Sequence, residues 1–147
     1  MTIKICVVGT TQSGSTRLFN MLRFLYESQH KKVHSCWHYK NENVSSDVII
    51  SKIHDCDINY LNHFTFTFLP LRNILDSAIS RKKRLPETSL ENNCLYNIQL
   101  FNKFKDKVNH VVIYEQYSVN QIKKICSILK IQLDDIQIIA IMKKLDG

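Results

Sequence analysis

An α/β fold, a three-layer parallel sheet with helices on both faces, is predicted by three observations. Short apolar runs suited to strands alternate along the chain with stretches of helical periodicity, the pattern from which parallel sheets are built. The first run enters a Gly-Ser-Thr loop followed by a helix, and this order aims unpaired backbone N–H groups and the positive end of a helix dipole at one spot. At 147 residues the chain can bury roughly 70% of its unfolded surface around one core, so one domain over 1–147 is expected.

Each element has its own signal. Ile3–Val8 is an apolar strand, and Ser15–Gln29 follows the loop with helical spacing. Asp47–Ser51 is a second apolar run, and Phe64–Leu69, rich in Phe and Thr, is suited to a buried strand ending before Pro70. Helices are expected over Ile74–Arg84 and Ser89–Lys105, a strand over His110–Tyr114, and helices over Asn120–Leu129 and Asp134–Lys144. The polar, mixed-sign segment Lys31–Ser45 fits neither period and is expected to be a lid or acceptor-side loop. Repeats, low-complexity tracts and linkers are absent from the sequence. Ligands of such sheets bind at the carboxyl ends of strands, where Gly9, Lys52, Arg72 and Tyr114 all fall.

Gly9 and Gly14 are separated by four residues, and Thr16 holds the final hydroxyl position of a G-x-x-x-x-G-K-[ST] loop, which makes the fold of P-loop nucleotide-binding type. Thr11, Ser13, Gly14, Ser15 and Thr16 are the candidate phosphate cradle, a plain turn and helix cap being the bland alternative. Ser15 stands where the loop's lysine would reach the β- and γ-phosphates, which disfavours a kinase or ATPase, as does the lack of a Walker-B Asp ending an apolar strand. Past the Phe64–Leu69 strand, Arg72 and, about two helical turns later, Ser80 can converge on one phosphate. Asp76 is read as capping or pairing within its helix.

Together these segments resemble the PAPS-dependent sulfotransferase family, whose donor is 3′-phosphoadenosine-5′-phosphosulfate (PAPS). Ser13-Gly14-Ser15-Thr16 matches the loop that binds the 5′-phosphosulfate there, and Arg72, Asn73, Asp76 and Ser80 match the motif that binds the 3′-phosphate. Lys52-Ile53-His54 is similar to a strand ending in Lys-x-His, and Val111–Glu115 to a strand ending in Tyr-Glu. The resemblance spans Lys4 to Lys130. It implies that His54 takes the acceptor proton, Lys52 steadies the transferring sulfuryl group, and Tyr114 lies near the adenine. It also implies that 3′-phosphoadenosine-5′-phosphate (PAP) is the product and that no metal is required. On the residues alone, His54 also reads as a surface histidine and Tyr114 as strand-end packing.

Two departures stand out. Gln12 replaces the family's Lys or Arg before the Ser-Gly pair, so a neutral amide stands where a cation stabilises the bridging oxygen. Loss of one transition-state donor costs on the order of a hundred- to a thousandfold in rate, which predicts a slow enzyme, with Lys31, Lys32 or Lys52 as candidate substitutes. The tail Met142–Gly147 is only faintly similar to the family's basic, Gly-containing closing loop, so the acceptor pocket is expected to be shallow or completed by a partner chain or a homodimer. A PAPS- or PAP-binding module that has lost turnover is therefore an alternative, and a P-loop nucleotide kinase a further one.

Composition narrows the classes. No run of about 18 apolar residues and no basic-then-apolar leader occurs, so a cytoplasmic protein, neither secreted nor membrane-spanning, is expected. Cys6, Cys36, Cys56, Cys94 and Cys126 are odd in number and unpaired in spacing, which suits a reducing compartment. His34-x-Cys36-x-His38 is read as a surface loop rather than a metal site. The net charge of +7, from 20 basic and 13 acidic residues, suits an anionic cosubstrate and equally nucleic acid or an acidic surface; with the motifs above, nucleic acid is the disfavoured partner. The run Arg81–Arg84 is either a solvated helix end or an attractor for the donor or for an acidic acceptor. The acceptor itself, small molecule, peptide or glycan, carries no recognisable sequence signature.

Overall fold

The computed structural model describes residues 1–10, 12–38 and 45–147. In chain order the elements are β1 (Ile3–Val8), α1 (Ser15–Ser28), β2 (Val33–Trp37), β3 (Val48–Ile53), β4 (Phe66–Leu71), α2 (Ile74–Arg84), α3 (Leu90–Phe104), β5 (His110–Ile113), α4 (Val119–Leu129) and α5 (Asp135–Asp146). Two 3-10 turns, Ile58–His63 and Tyr114–Gln116, follow β3 and β5. The strands form one parallel sheet in the order β2-β3-β1-β4-β5. β1 therefore lies at its centre.

Alternation along β1 assigns the two faces. Ile5 and Val7 point into a core with Leu18, Met21, Leu22 and Leu25 of α1, Ile122 and Ile125 of α4, and Ile138 and Ile141 of α5. Cys6 and Val8 point the other way, toward Ile53, Leu61, Leu69 and the α3 residues Leu100 and Phe104. Helices thus cover both faces, the three-layer arrangement that the alternation of periods predicts. Local chemistry fixes the helix starts: Asn73, Ser89, Ser118 and Asp134 cap α2 to α5 with side-chain oxygens, Asp134 within a capping box with Gln137.

Several expectations are corrected. Part of the expected Lys31–Ser45 loop is the edge strand β2, which pairs with β3 from Val33↔Val48 to Trp37↔Lys52. With one strand neighbour and no fully buried residue, β2 tolerates the polar sequence that hid it. His34 and Cys36 consequently lie on a strand, not a loop, and among the described residues no group of three His, Cys, Asp or Glu could hold a metal. Residues 39–44 of that segment lie outside the described residues. β4 runs through Pro70, where a strand end was expected before it. β1 pairs only with Phe66–Phe68, so Pro70 meets β5 alone. The 3-10 turn Ile58–His63, capped by Asp57, was unanticipated.

The tail Met142–Gly147 completes the helix expected over Asp134–Lys144, α5, and packs by Met142 and Leu145 against the α1-side core. On the same helix Ile136 is 79% exposed and Ile139 43% exposed, so these two apolar residues lie outside the core. No helix among the described residues is long and apolar enough to cross a membrane. The five cysteines are free thiols, with Cys6 and Cys126 buried.

Candidate functional site

The loop after β1 is held by close packing. Gly14 has φ 88° and a Cβ placed there would lie 2.6 Å from Tyr114 Cδ2; one on Gly9 would lie 2.8 Å from Pro70 Cγ. Only glycine permits both approaches without displacing a neighbour. Ser13 turns inward, its Oγ donating to the Thr10 carbonyl at 2.6 Å, so it braces the loop from within. No side chain caps α1, whose N-cap is Gly14 in the left-handed conformation. The first-turn N–H groups of α1 are thus left for a ligand, at the positive end of the helix dipole.

Arg72, one residue past β4, directs Nη1 toward the Gln12 carbonyl at 3.5 Å and sets its guanidinium 5.1 Å from the Tyr114 ring centroid. From α2, the Ser80 hydroxyl donates to Gln12 Oε1 at 3.0 Å. Arg72 and Ser80 therefore do converge, and the group on which they meet in this structure is Gln12. Arg17, in the first turn of α1, is stacked on Tyr117 at 4.0 Å and Tyr114 at 5.0 Å and paired with Asp146 at 3.0 Å. Those partners offset the cost of a cation at the positive end of a helix.

β3 supplies the opposite wall. Lys52 Nζ donates to Thr16 Oγ1 at 2.6 Å and lies 4.9 Å over the Trp37 ring. Burial pushes its ammonium below the ordinary lysine value, and the Arg84 guanidinium adds to the effect. His54 Nδ1 lies 2.9 Å from the Gly9 carbonyl. A carbonyl only accepts, so Nδ1 carries the proton, and Nε2 of the neutral ring is left as an acceptor. The Trp37 ring meets His54 edge-on, with centroids 5.2 Å apart.

These walls enclose a basin of about 480 Å³ lined by Gln12, Gly14–Arg17, Trp37, Lys52, His54, Arg72, Arg84 and Tyr114. Its size is that of a small-molecule site. The carboxyl ends of β2, β3, β4 and β5 and the N-terminus of α1 meet there, around the loop after the central strand, as open parallel sheets arrange their ligand sites.

No protein-family model and no curated protein matches the sequence. Solved structures do match. Shikimate kinase from Bacteroides thetaiotaomicron superposes with a TM-score of 0.56 at 11% identity, over 88% of this chain and 99% of its own. TT1252 from Thermus thermophilus gives 0.56 at 9% identity, over 88% and 96%. The fold is the P-loop α/β fold. At such identities the likeness is one of architecture, and the kinase activity in the first name belongs to that protein.

Of the residues singled out in the sequence, Gln12, Gly14, Ser15, Thr16, Lys52, His54, Arg72 and Tyr114 line the basin. Ser13 faces a smaller cavity behind the loop, shared with Thr10, Arg72 and Asn97, and Ser80 reaches the basin through Gln12. Thr11 lies outside the described residues. Lys31 and Lys32 precede β2 at the far end of the sheet, where Asp47 holds the Lys32 N–H, so neither substitutes for the missing cation. α3 lines the smaller cavity and not the basin. Sequence reasoning passed over Arg17, Trp37 and the specific place of Arg84. Arg17 directly follows Thr16 in the P-loop spacing and could have been found from that; Trp37 lay in the unrecognised strand.

Proposed function

We propose that the basin binds PAPS and that the chain transfers its sulfuryl group to a hydroxyl or amine acceptor, releasing PAP. One observation carries this reading: the described lining of the basin holds Arg17, Lys52, Arg72, Arg84 and His54, and no carboxylate. Such a wall suits an anion carried without a metal ion, its charge met by backbone N–H groups, guanidinium and ammonium. On this reading the N-terminal turn of α1, with Ser15 and Thr16, cradles the 5′-phosphosulfate. Arg72 and Ser80 exchange Gln12 for the 3′-phosphate, and Tyr114 flanks the adenine. His54 Nε2 takes the acceptor's proton as its oxygen or nitrogen bonds to sulfur and the bridging S–O bond to the 5′-phosphate breaks, while Lys52 faces the charge on the sulfuryl oxygens.

A second reading, a P-loop kinase using a Mg-nucleoside triphosphate, draws on the fold likeness to a shikimate kinase and on Thr16 at the loop's hydroxyl position. The comparisons favour it over sulfuryl transfer. The side-chain chemistry weighs against it: Ser15 replaces the loop lysine, and Thr16 already accepts from Lys52. Gln12, neutral and engaged by Ser80, supports a third reading in which the donor binds without turnover.

Calorimetric titration with PAP, beside Mg-ATP and an Arg72→Ala control, separates them. PAP binding that weakens roughly ten- to hundredfold in the control is the expected result. Binding of Mg-ATP and not of PAP overturns the proposal in favour of the kinase. Tight PAP binding with no sulfuryl transfer from PAPS across an acceptor panel selects the binding module.

A further inference from the structure

We infer that the acceptor is a hydroxylated ring bearing an anionic group, the ring laid on Trp37 and the anion held by Arg84. The inference rests on the sulfuryl-transfer reading and names the substrate class of that same basin. Trp37 ends the edge strand β2 and lines the basin while 60% exposed. It is nonetheless fixed in place, by Lys52 over its ring and by its edge-on contact with His54. A large ring held open beside a candidate base is a surface on which a flat substrate stacks, which would set the substrate's hydroxyl near His54 Nε2.

The charge pattern supplies the second half. Arg17 has Asp146, and Arg72 is turned to Gln12 and Tyr114 on the loop side. Arg84 lies on the Lys52 side of the basin, and among the described residues no carboxylate pairs with it. The donor's anions are matched by the α1 N-terminus, Lys52 and Arg72, which leaves Arg84 for an anion on the acceptor. With a neutral acceptor, no carboxylate among the described residues would meet that guanidinium. Phenols and sugars share the required features, a flat face, a hydroxyl and room for a carboxylate.

Trp37 is the chain's single tryptophan, so indole fluorescence reports this subsite directly and needs no turnover. The full chain saturated with PAP is titrated with two matched pairs, N-acetyltyrosine against N-acetyltyrosinamide and glucuronic acid against glucose. In at least one pair the anionic member is expected to quench Trp37 with roughly tenfold or greater preference, a preference that Arg84→Gln removes when the variant is likewise saturated with PAP at its own measured affinity. Which pair shows it separates the phenolic from the sugar source. Equal response to charged and neutral members, no quenching by any probe at millimolar concentration, or a preference that survives Arg84→Gln overturns the inference with the donor site intact. If PAP itself fails to bind wild type, the donor reading falls first and this inference falls with it.

Discussion

A methyl group at Gly14 would meet Tyr114 on a backbone that already has φ 88°. Gly14→Ala should therefore lose roughly 1–3 kcal/mol of stability, read by urea denaturation, and should weaken PAP binding by displacing Tyr114 or the loop. A drop in stability with binding unchanged would mean that the loop's shape is not what the ligand reads. Gln12 is the residue at which rate is decided on the proposed function. Gln12→Lys restores a cation beside Arg72 and Ser80 and should raise sulfuryl transfer by on the order of a hundredfold, measured as kcat with PAPS. Lys52 sets a pH limit. Its ammonium is depressed below 10.5, so anion affinity should fall as pH rises through the depressed value, where the charge is lost. Arg84→Gln removes one cause of the depression and should move that fall to higher pH in a calorimetric series.

Among the elements, α2 brings Ser80 to Gln12 and Arg84 to the basin, and its start is tied down twice. Asn73 Oδ1 accepts from the Asp76 N–H, and the Asn73 N–H donates to Glu115 beyond β5. Asn73→Ala should cost about 1 kcal/mol through the lost cap, measured by chemical denaturation. β5 carries a pH-sensitive group. Burial, with Lys124 nearby, lowers the His110 pKa below 6.5. As pH falls below 6.5 the unfolded chain takes up a proton that the folded chain still resists, so stability should decline until the folded pKa is reached. His110→Gln should flatten that decline between pH 7.5 and 5.5; an unchanged slope would assign it to other groups.

The same scale explains what was legible in the sequence. β1 and α1 could be read because one is apolar but for Lys4, the other is periodic, and a glycine-containing loop joins them. α2 was readable to the residue because it starts directly after its cap Asn73 and ends with its basic turn. β2 was hidden because an edge strand buries little and its sequence VHSCW carries too few apolar residues to signal. Strand-end residues such as Lys52, Arg72 and Tyr114 were visible because a parallel sheet delivers them to one edge. The basin's Trp37 wall and the grip of Ser80 on Gln12 were not, since both join segments many positions apart that no local pattern couples.

For the molecule as a whole, the strand order puts β1 between β3 and β4, so the loop after β1 is flanked by His54 on one side and Arg72 on the other. On the proposed function, a chain with a net charge of +7 and a cation-lined basin should bind PAP less tightly as salt rises, measured by calorimetry across a salt series.

The two buried thiols sit in different layers of that molecule: Cys6 packs among Val8, Leu69 and Phe104, and Cys126 among the α1, α4 and α5 side chains. Burial pushes both thiols up, so neither forms the reactive thiolate until its own layer opens. Alkylation followed by mass detection thus gives two internal clocks, one for each side of the sheet. If the sheet melts as a single cooperative unit, both clocks run at one rate; if the α3 side opens first, Cys6 is modified while Cys126 is still silent.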